Sequence, residues 1–285
     1  MKCNAQPQRV SAHGGHSGDF CLHAKDSLEQ IVATYADQDF NWIGLTEHMP
    51  PVTNDKLYPD EHQAGLCASD LLHQFDRYVK TARRLQQQYA GKMTIFVAME
   101  TEFYAGAVPW IHELQQLYNF DYLVGSVHHV QERCFDFSAD DYAATLELLG
   151  GHDAMYCAYF DAQLAMIEHL KPAVVGHFDL IRLHDPDYAQ RLKHPAVAEV
   201  IERNLQRIAG LGLMLDFNVR ALAKGASEPY VSAPILKRAL QLGIDIVPGD
   251  DSHGVNSVGV GLDEGISLLL QAGYHCQWRQ PISEI

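Results

Sequence analysis

Along the 285 residues, short β-branched or apolar runs alternate with longer stretches of helical period. That alternation predicts an α/β fold on a mainly parallel sheet, either closed into a barrel or left open. Seven runs read as strands, and no Gly/Ser-rich or proline-rich linker separates them. The length lies near the size at which one hydrophobic core stops growing, so residues 1–285 are read as a single domain.

The first strand is expected over RVSAH (9–13). After it, SLEQIVATYAD (27–37) places Leu28, Ile31, Val32 and Tyr35 on one helical stripe. WIGLTE (42–47) is the second strand, rich in residues that suit a buried pleated surface. The stretch MPPVTNDKLYPDEHQAGLC (49–67) follows neither period and reads as a long loop suited to a lid. A long helix is expected from about Ser69 to Tyr89, then the strand TIFVAM (94–99), a helix over 109–118 and the strand YLVGSV (122–127). Helices over 139–149 and 153–170 precede the strand AVVGHF (173–178). The alternation ends with a helix over 196–209, LMLDFN (213–218), a helix over 232–242, DIVPG (245–249) and a helix over 262–272. No internal repeat or low-complexity tract is present.

Composition narrows the function. With 36 acidic against 21 basic side chains and a net charge of -15, long-range attraction to a polyanion is not expected, and nucleic acid is set aside as a partner. The stretch MKCNAQPQRVSAHGG lacks the apolar centre of a signal peptide, and no apolar run of about 18 residues occurs. A cytoplasmic location without membrane contact is the expectation. Cys3, Cys21, Cys67, Cys134, Cys157 and Cys276 are scattered and form no CxxC, which suits free thiols in a reducing compartment. The chain has no strand-borne GxGxxG, no GxxxxGK, no HExxH and no GxSxG, so nucleotide folds and serine hydrolases have nothing specific in their favour. Nothing in the sequence argues an oligomeric state.

The chemistry-bearing residues gather at one place in the strand map. His13, His16, Asp19 and His23 follow the first strand, and His48 follows the second. Glu100 and Glu102 follow the third, His128 and His129 the fourth, and His177 and Asp179 the fifth. Asp250, Asp251 and His253 follow the seventh. In a parallel barrel these strand ends converge at the C-terminal rim. Neighbours on a strand alternate faces, so of the HH pair only one points inward, and His128 is chosen. Neutral imidazole with carboxylate suits zinc, iron or manganese, whereas magnesium alone prefers an oxygen-rich site. So many candidate ligands exceed the need of one tetrahedral ion, and two or three divalent ions are expected. Cations held largely by neutral imidazoles leave a positive pocket, so an acidic protein can still hold a phosphate locally. Hydrolysis of a small phosphate monoester is the leading chemistry.

Taken together, HSGDFCLHA (16–24), LTEHMP (45–50), the ME pair (99–100), VGSVHHV (124–130), VVGHFDL (174–180), EPYVS (228–232) and DDSHG (250–254) resemble the PHP (polymerase and histidinol phosphatase) superfamily, histidinol-phosphatase branch. The resemblance runs nearly end to end. It implies a distorted (β/α)7 barrel, TIM-like, with a trinuclear metal centre on the rim. It also implies metal ligands at His16, His23, His48, Glu100, His128, His177, Asp251 and His253, with Glu100 bridging two ions. Glu100, Asp251 and His253 are then the expected catalytic residues. The implied reaction is hydrolysis of L-histidinol phosphate to L-histidinol and phosphate, a late step of histidine biosynthesis, by a metal-activated hydroxide.

Two departures stand out. The family's first motif is His-x-His, and with His16 aligned to the second histidine the first falls on Gly14. Either the glycine pair lets His13 supply the ligand, or that position is depleted. The segment NVRALAKGASEPY also departs from the family pattern, leaving Arg220, Lys224 and Arg182 as candidates for phosphate recognition. Glu47 and Glu102 are candidates for orienting ligands or meeting a substrate amine, and Asp179 for supporting His177. The alternatives are a phosphatase of the same architecture acting on another small monoester, and a non-catalytic metal-binding relative. A nucleic-acid exonuclease on this fold lacks the basic, aromatic-interleaved groove it would need.

Overall fold

The computed structural model describes residues 6–275 and 277–282. Among the described residues, nine strands and eleven helices follow one another. The first half contains β1 (Val10–Ser11), α1 (Leu28–Asp37), β2 (Trp42–Leu45), α2 (Pro59–Gln63), α3 (Ala68–Gln88), β3 (Thr94–Thr101), α4 (Ala107–Tyr118) and β4 (Tyr122–Gly125). A small hairpin, β5 (His129–Val130) with β6 (Arg133–Cys134), leads into α5 (Ala139–Leu149) and α6 (His152–Leu170). The second half contains β7 (Val174–Val175), α7 (Tyr188–Arg191), α8 (Pro195–Leu211), β8 (Met214–Asn218), α9 (Arg220–Ala223), α10 (Ala233–Gln241), β9 (Ile246–Gly249) and α11 (Leu262–Ala272).

Seven of the strands form one all-parallel sheet in the order β1-β2-β3-β4-β7-β8-β9, the seven expected from the sequence. The two ends of this sheet meet, because Ala12 N donates to Pro248 O at 2.8 Å and Asp251 N to His13 O at 2.8 Å. The result is a distorted parallel barrel wrapped by helices. Its strands are buried nearly throughout, which is why they read as apolar runs rather than as alternations.

Local signals set the helix ends. Ser27 and Gln30 form a reciprocal capping box at the start of α1, and Ser138 caps α5. Pro195 opens α8 and Gly212, at φ 65°, closes it. The hairpin β5/β6 was not expected, since two-residue strands leave no periodicity to read. The stretch 49–67, expected as loop, holds a 3-10 turn at Asn54–Lys56 and the short α2. It is tied down: Trp110 donates to Pro50 O at 2.8 Å and Tyr58 to Glu102 at 2.8 Å. No described helix is long and apolar enough to cross a membrane. Cys21, Cys67, Cys134 and Cys157 are free, while Cys3 and Cys276 lie outside the described residues.

Candidate metal centre

The rim of the barrel gathers side chains that are distant in sequence around one carboxylate, Glu100, which is 1% exposed near the end of β3. His128 Nε2 lies 3.1 Å and His177 Nε2 3.0 Å from its Oε1. His13 Nε2 lies 3.1 Å and His48 Nδ1 3.2 Å from its Oε2, with His16 Nε2 at 3.7 Å. Asp251 Oδ1 is 3.4 Å from His16 Nε2, and the His16 and His253 rings stack at 4.5 Å. His23 stands at the outer edge, its ring 5.2 Å from His253 and 5.3 Å from His48. All nine residues singled out as ligand candidates thus share one region.

In four of these imidazoles one nitrogen is anchored and the other faces the cluster. His13 Nδ1 is 2.8 Å from Asp216, His16 Nδ1 3.1 Å from Glu47, His128 Nδ1 2.8 Å from Asp136, and His253 Nδ1 2.9 Å from the carbonyl of Asp251. Each anchor holds Nδ1 and turns Nε2 inward, the arrangement that orients a metal-bound histidine. His13 Nε2, His16 Nε2 and both ring nitrogens of His48 are buried without a hydrogen-bond partner. Buried polar atoms are seldom left unpaired. Several cationic or neutral donors converge there around two carboxylates, so the donor set fits divalent cations. Five three-residue groups lie close enough to share an ion, and Glu100 belongs to two of them: His13/Glu100/His177 and His48/Glu100/His128. The others are His13/His16/Asp251, His16/His48/His253 and Cys21/His23/His48.

Electrostatics point the same way. Burial alone would raise Glu100, but His13, His48 and His128 outweigh it and hold the carboxylate well below its usual range. Asp251 is likewise held low against its burial, by His13 and His16. Burial first, then the neighbouring His16, keep His253 and His48 far below the ordinary imidazole value, so both rings are neutral and retain a lone pair. His13 and His16 shift the opposite way. Burial is outweighed by Glu100 and Asp251 around His13, and by hydrogen bonds to Asp251 and Glu47 around His16, which rises to about 9. Without a cation these two keep protons that metal binding would displace.

The Gly14 question has a geometric answer. Gly15 turns at φ 79°, a left-handed conformation that glycine takes without strain, and this extra step brings His13 and His16 to the same cluster. Gly14 itself packs against side chains beneath the rim, where a Cβ would come within 2.5 Å of Asp250 and Tyr35. His13 therefore stands in the cluster, within reach of Glu100, His177, His16 and Asp251.

The basic candidates separate. Arg220 and Lys224, on and just after α9, line a cavity of about 270 Å³ directly over the cluster. Arg182 is not in it, a correction to its expected role in substrate binding. It donates to Glu228 O at 2.9 Å and Pro229 O at 2.7 Å, pairs with Asp179 at 3.3 Å, and lies between the rings of Tyr188 and Tyr230. Glu47, also a candidate for substrate binding, does not line this cavity: buried, it accepts from His16 Nδ1 and from Ser17 N at 3.2 Å, the contacts of the ligand-orienting one of its two expected roles. Asp179 bonds Ser232 and Arg182 and makes no contact that supports His177. Asp250, next to Asp251, turns under the rim to Ser11 and Tyr35, and Asp19 caps Leu28 N. His129 packs on Tyr104 outside the cavity, leaving His128 as the inward member of the pair.

Sequence reasoning missed Asp136, Asp216 and Asn218, which hold the ligands, and Tyr58, Phe137 and Tyr230, which wall the cavity. Asp216 and Asn218 had a signal: two apart in a buried strand, they share one face.

Comparison with known proteins agrees with the geometry. The family model for the PHP domain matches residues 14–220. His13, Asp251 and His253 lie outside that stretch and return to the cluster through the fold. A probable histidinol-phosphatase of Schizosaccharomyces pombe is 35% identical over 268 residues, covering 93% of this chain and 87% of the relative. A solved structure from Listeria monocytogenes, provisionally called a histidinol phosphatase, superimposes with a TM-score of 0.78 at 26% identity, covering 90% of this chain and 99% of that one. The histidinol phosphate phosphatase of Lactococcus lactis, solved with zinc, L-histidinol and phosphate, has a TM-score of 0.72 at 19% identity over 94% of this chain and 95% of that one. At that identity the likeness is one of fold.

Proposed function

The chain belongs to the PHP domain family, and from that membership together with its rim cluster we propose that it is a metal-dependent phosphate-monoester hydrolase acting on L-histidinol phosphate. The observation that carries the reading is Glu100, both of whose oxygens are ringed by imidazole nitrogens about 3 Å away. The named substrate rests on relatives: the 35% identical fission-yeast protein carries that activity in its name.

His13, His16, His23, His48, Glu100, His128, His177, Asp251 and His253 would hold two or three ions, and the mixed imidazole and carboxylate set suits zinc, manganese or iron. Such ions, when bound, lower the pKa of water towards neutrality and stabilise charge developing on phosphoryl oxygens. The chain's own residues do the rest. Arg220 and Lys224 enter the cavity from one short helix and offer charge-assisted hydrogen bonds to phosphate oxygens. Glu100 joins two ligand groups and fixes their spacing, while Asp251 and His253 come from one turn and set the opposite side of the cluster. Asn218 bridges Asp216 and Asp251, at 3.0 and 3.3 Å, and so ties the anchor of His13 to a second carboxylate of the cluster.

The test is metal content per chain in protein purified without chelator, paired with phosphate release from L-histidinol phosphate. Two to three ions with release is the expected result. Metal-loaded protein that cleaves phenyl phosphate but not L-histidinol phosphate would move the substrate to another monoester. Metal-free protein with no release after metal addition would overturn the reading.

A further inference from the structure

Of the phenylalanine and tyrosine side chains in the cavity wall, Tyr58 and Phe137 face one another. Tyr58 comes from the long stretch 49–67, and Phe137 follows the hairpin β5/β6. Their rings are nearly parallel, 24° apart, with centroids at 5.9 Å. Phe137 is 39% exposed, one of few large apolar side chains so open among the described residues. It lines the same cavity as Arg220 and Lys224.

Four contacts hold the pair and its neighbour Asp136 in place. The Tyr58 hydroxyl donates to Glu102 at 2.8 Å, a buried carboxyl that burial lifts to about 8. The Tyr58 ring also meets His129 at 6.4 Å. Asp136, the residue before Phe137, is fixed by His128 and by Cys134. Both oxygens of Asp136 are thereby engaged, so what this side of the cavity offers a ligand is a ring face. At 5.9 Å the two rings already stand in stacking range, which leaves no slot between them; a ligand ring would have to extend the stack on the exposed side of Phe137.

We propose that Phe137, braced by Tyr58, is a specificity-determining residue that receives a planar, preferably cationic, ring of the alcohol half of the phosphate ester. Basic groups for phosphate and a ring face for the alcohol lie in one cavity of about 270 Å³, which selects esters whose ring and phosphate are joined by a short flexible link. An imidazolium ring satisfies both the stacking and the cation–π preference of such a face. The inference deepens the proposed function and rests on it only for the identity of the ring.

The experiment compares Phe137→Ala and Phe137→Tyr with the wild-type, metal-loaded chain. It measures KM for L-histidinol phosphate and for phenyl phosphate, and the inhibition constant of inorganic phosphate. The alanine variant is expected to raise both KM values roughly tenfold, the size of one aromatic contact, with kcat and metal content held and phosphate inhibition unchanged. The tyrosine variant restores the KM values. If wild-type protein cleaves phenyl phosphate alone and the alanine variant weakens it, the ring platform stands and the histidinol reading falls. Unchanged KM for the ring-bearing esters, or an equal loss of phosphate inhibition, would overturn the platform. If neither ester is cleaved, both ideas fail together with the phosphatase assignment.

Discussion

Asp216 shows how much of this centre is decided by residues outside the ligand set. Its Oδ2 takes His13 Nδ1 at 2.8 Å, Asn218 Nδ2 at 3.0 Å and the backbone N–H of His177 at 3.3 Å. Replacing it by asparagine keeps the volume but removes the charge that sets the His13 tautomer. Asp216→Asn is expected to weaken metal binding roughly 10- to 100-fold with the fold intact, read by competition with a chromogenic chelator. Unchanged affinity would remove Asp216 from the centre. His13→Ala, which removes the donor itself, should cost at least one ion per chain by metal analysis. Ligand candidates were legible in the sequence because histidines recur after strand after strand, from His48 to His253. Asp136 was not, because it follows a hairpin too short to leave a pattern. The role of His13 stayed open because it depends on one backbone angle, that of Gly15.

At the level of elements, the seven parallel strands and most helices follow from apolar period and capping residues, whereas their side-chain consequences do not. Arg182 and Arg220 look alike in sequence, each a few residues past a strand. The turn that carries Arg182, Leu180–Arg182, directs it beneath the rim, where it binds two carbonyls and Asp179. Helix α9 directs Arg220 into the cavity. Arg182→Met should therefore destabilise the fold by about 3–5 kcal/mol, because it strands the buried Asp179 carboxylate, as seen in denaturant unfolding. Arg220→Ala should leave stability within about 0.5 kcal/mol and raise KM for the phosphate ester. A stable Arg182 variant with a raised KM would reverse the two assignments. Gly15→Ala tests the turn of the first loop. A methyl group there would sit 2.7 Å from Leu45 Cδ2 in a left-handed backbone, so a loss of about 1–2 kcal/mol together with weaker metal binding is expected.

For the whole molecule, the centre couples metal, protons and stability. The barrel brings nine titratable donors, five of them buried, into one region that only the folded chain creates, so ions that bind there stabilise the native state by mass action. Removing them with chelator should lower the melting temperature. The pH dependence of that drop follows from the three histidines with raised values, among them His128, where burial is outweighed by Asp136 and Glu100. His16 is lifted from 6.5 to about 9, hydrogen bonds to Asp251 and Glu47 outweighing its burial, and His13 is raised as well. A group raised in the folded state contributes stability that is complete below its unfolded value and disappears as pH climbs through the folded one. Glu102, lifted from 4.5 to about 8 by burial, acts with the same sign. His48 and His253 are depressed and act with the opposite sign, but their contribution is nearly complete once pH passes the unfolded value of 6.5, at the lower end of this window. Metal-free protein should accordingly lose stability from pH 6.5 to 9. Metal affinity should rise over the same interval, because fewer protons must leave the imidazoles. The gap in melting temperature between metal-loaded and chelated protein should therefore widen from pH 6.5 to 9, measured by thermal denaturation at fixed metal concentration. A gap that stays constant or narrows would mean that the protons of His13, His16 and His128 are not the ones the metal displaces.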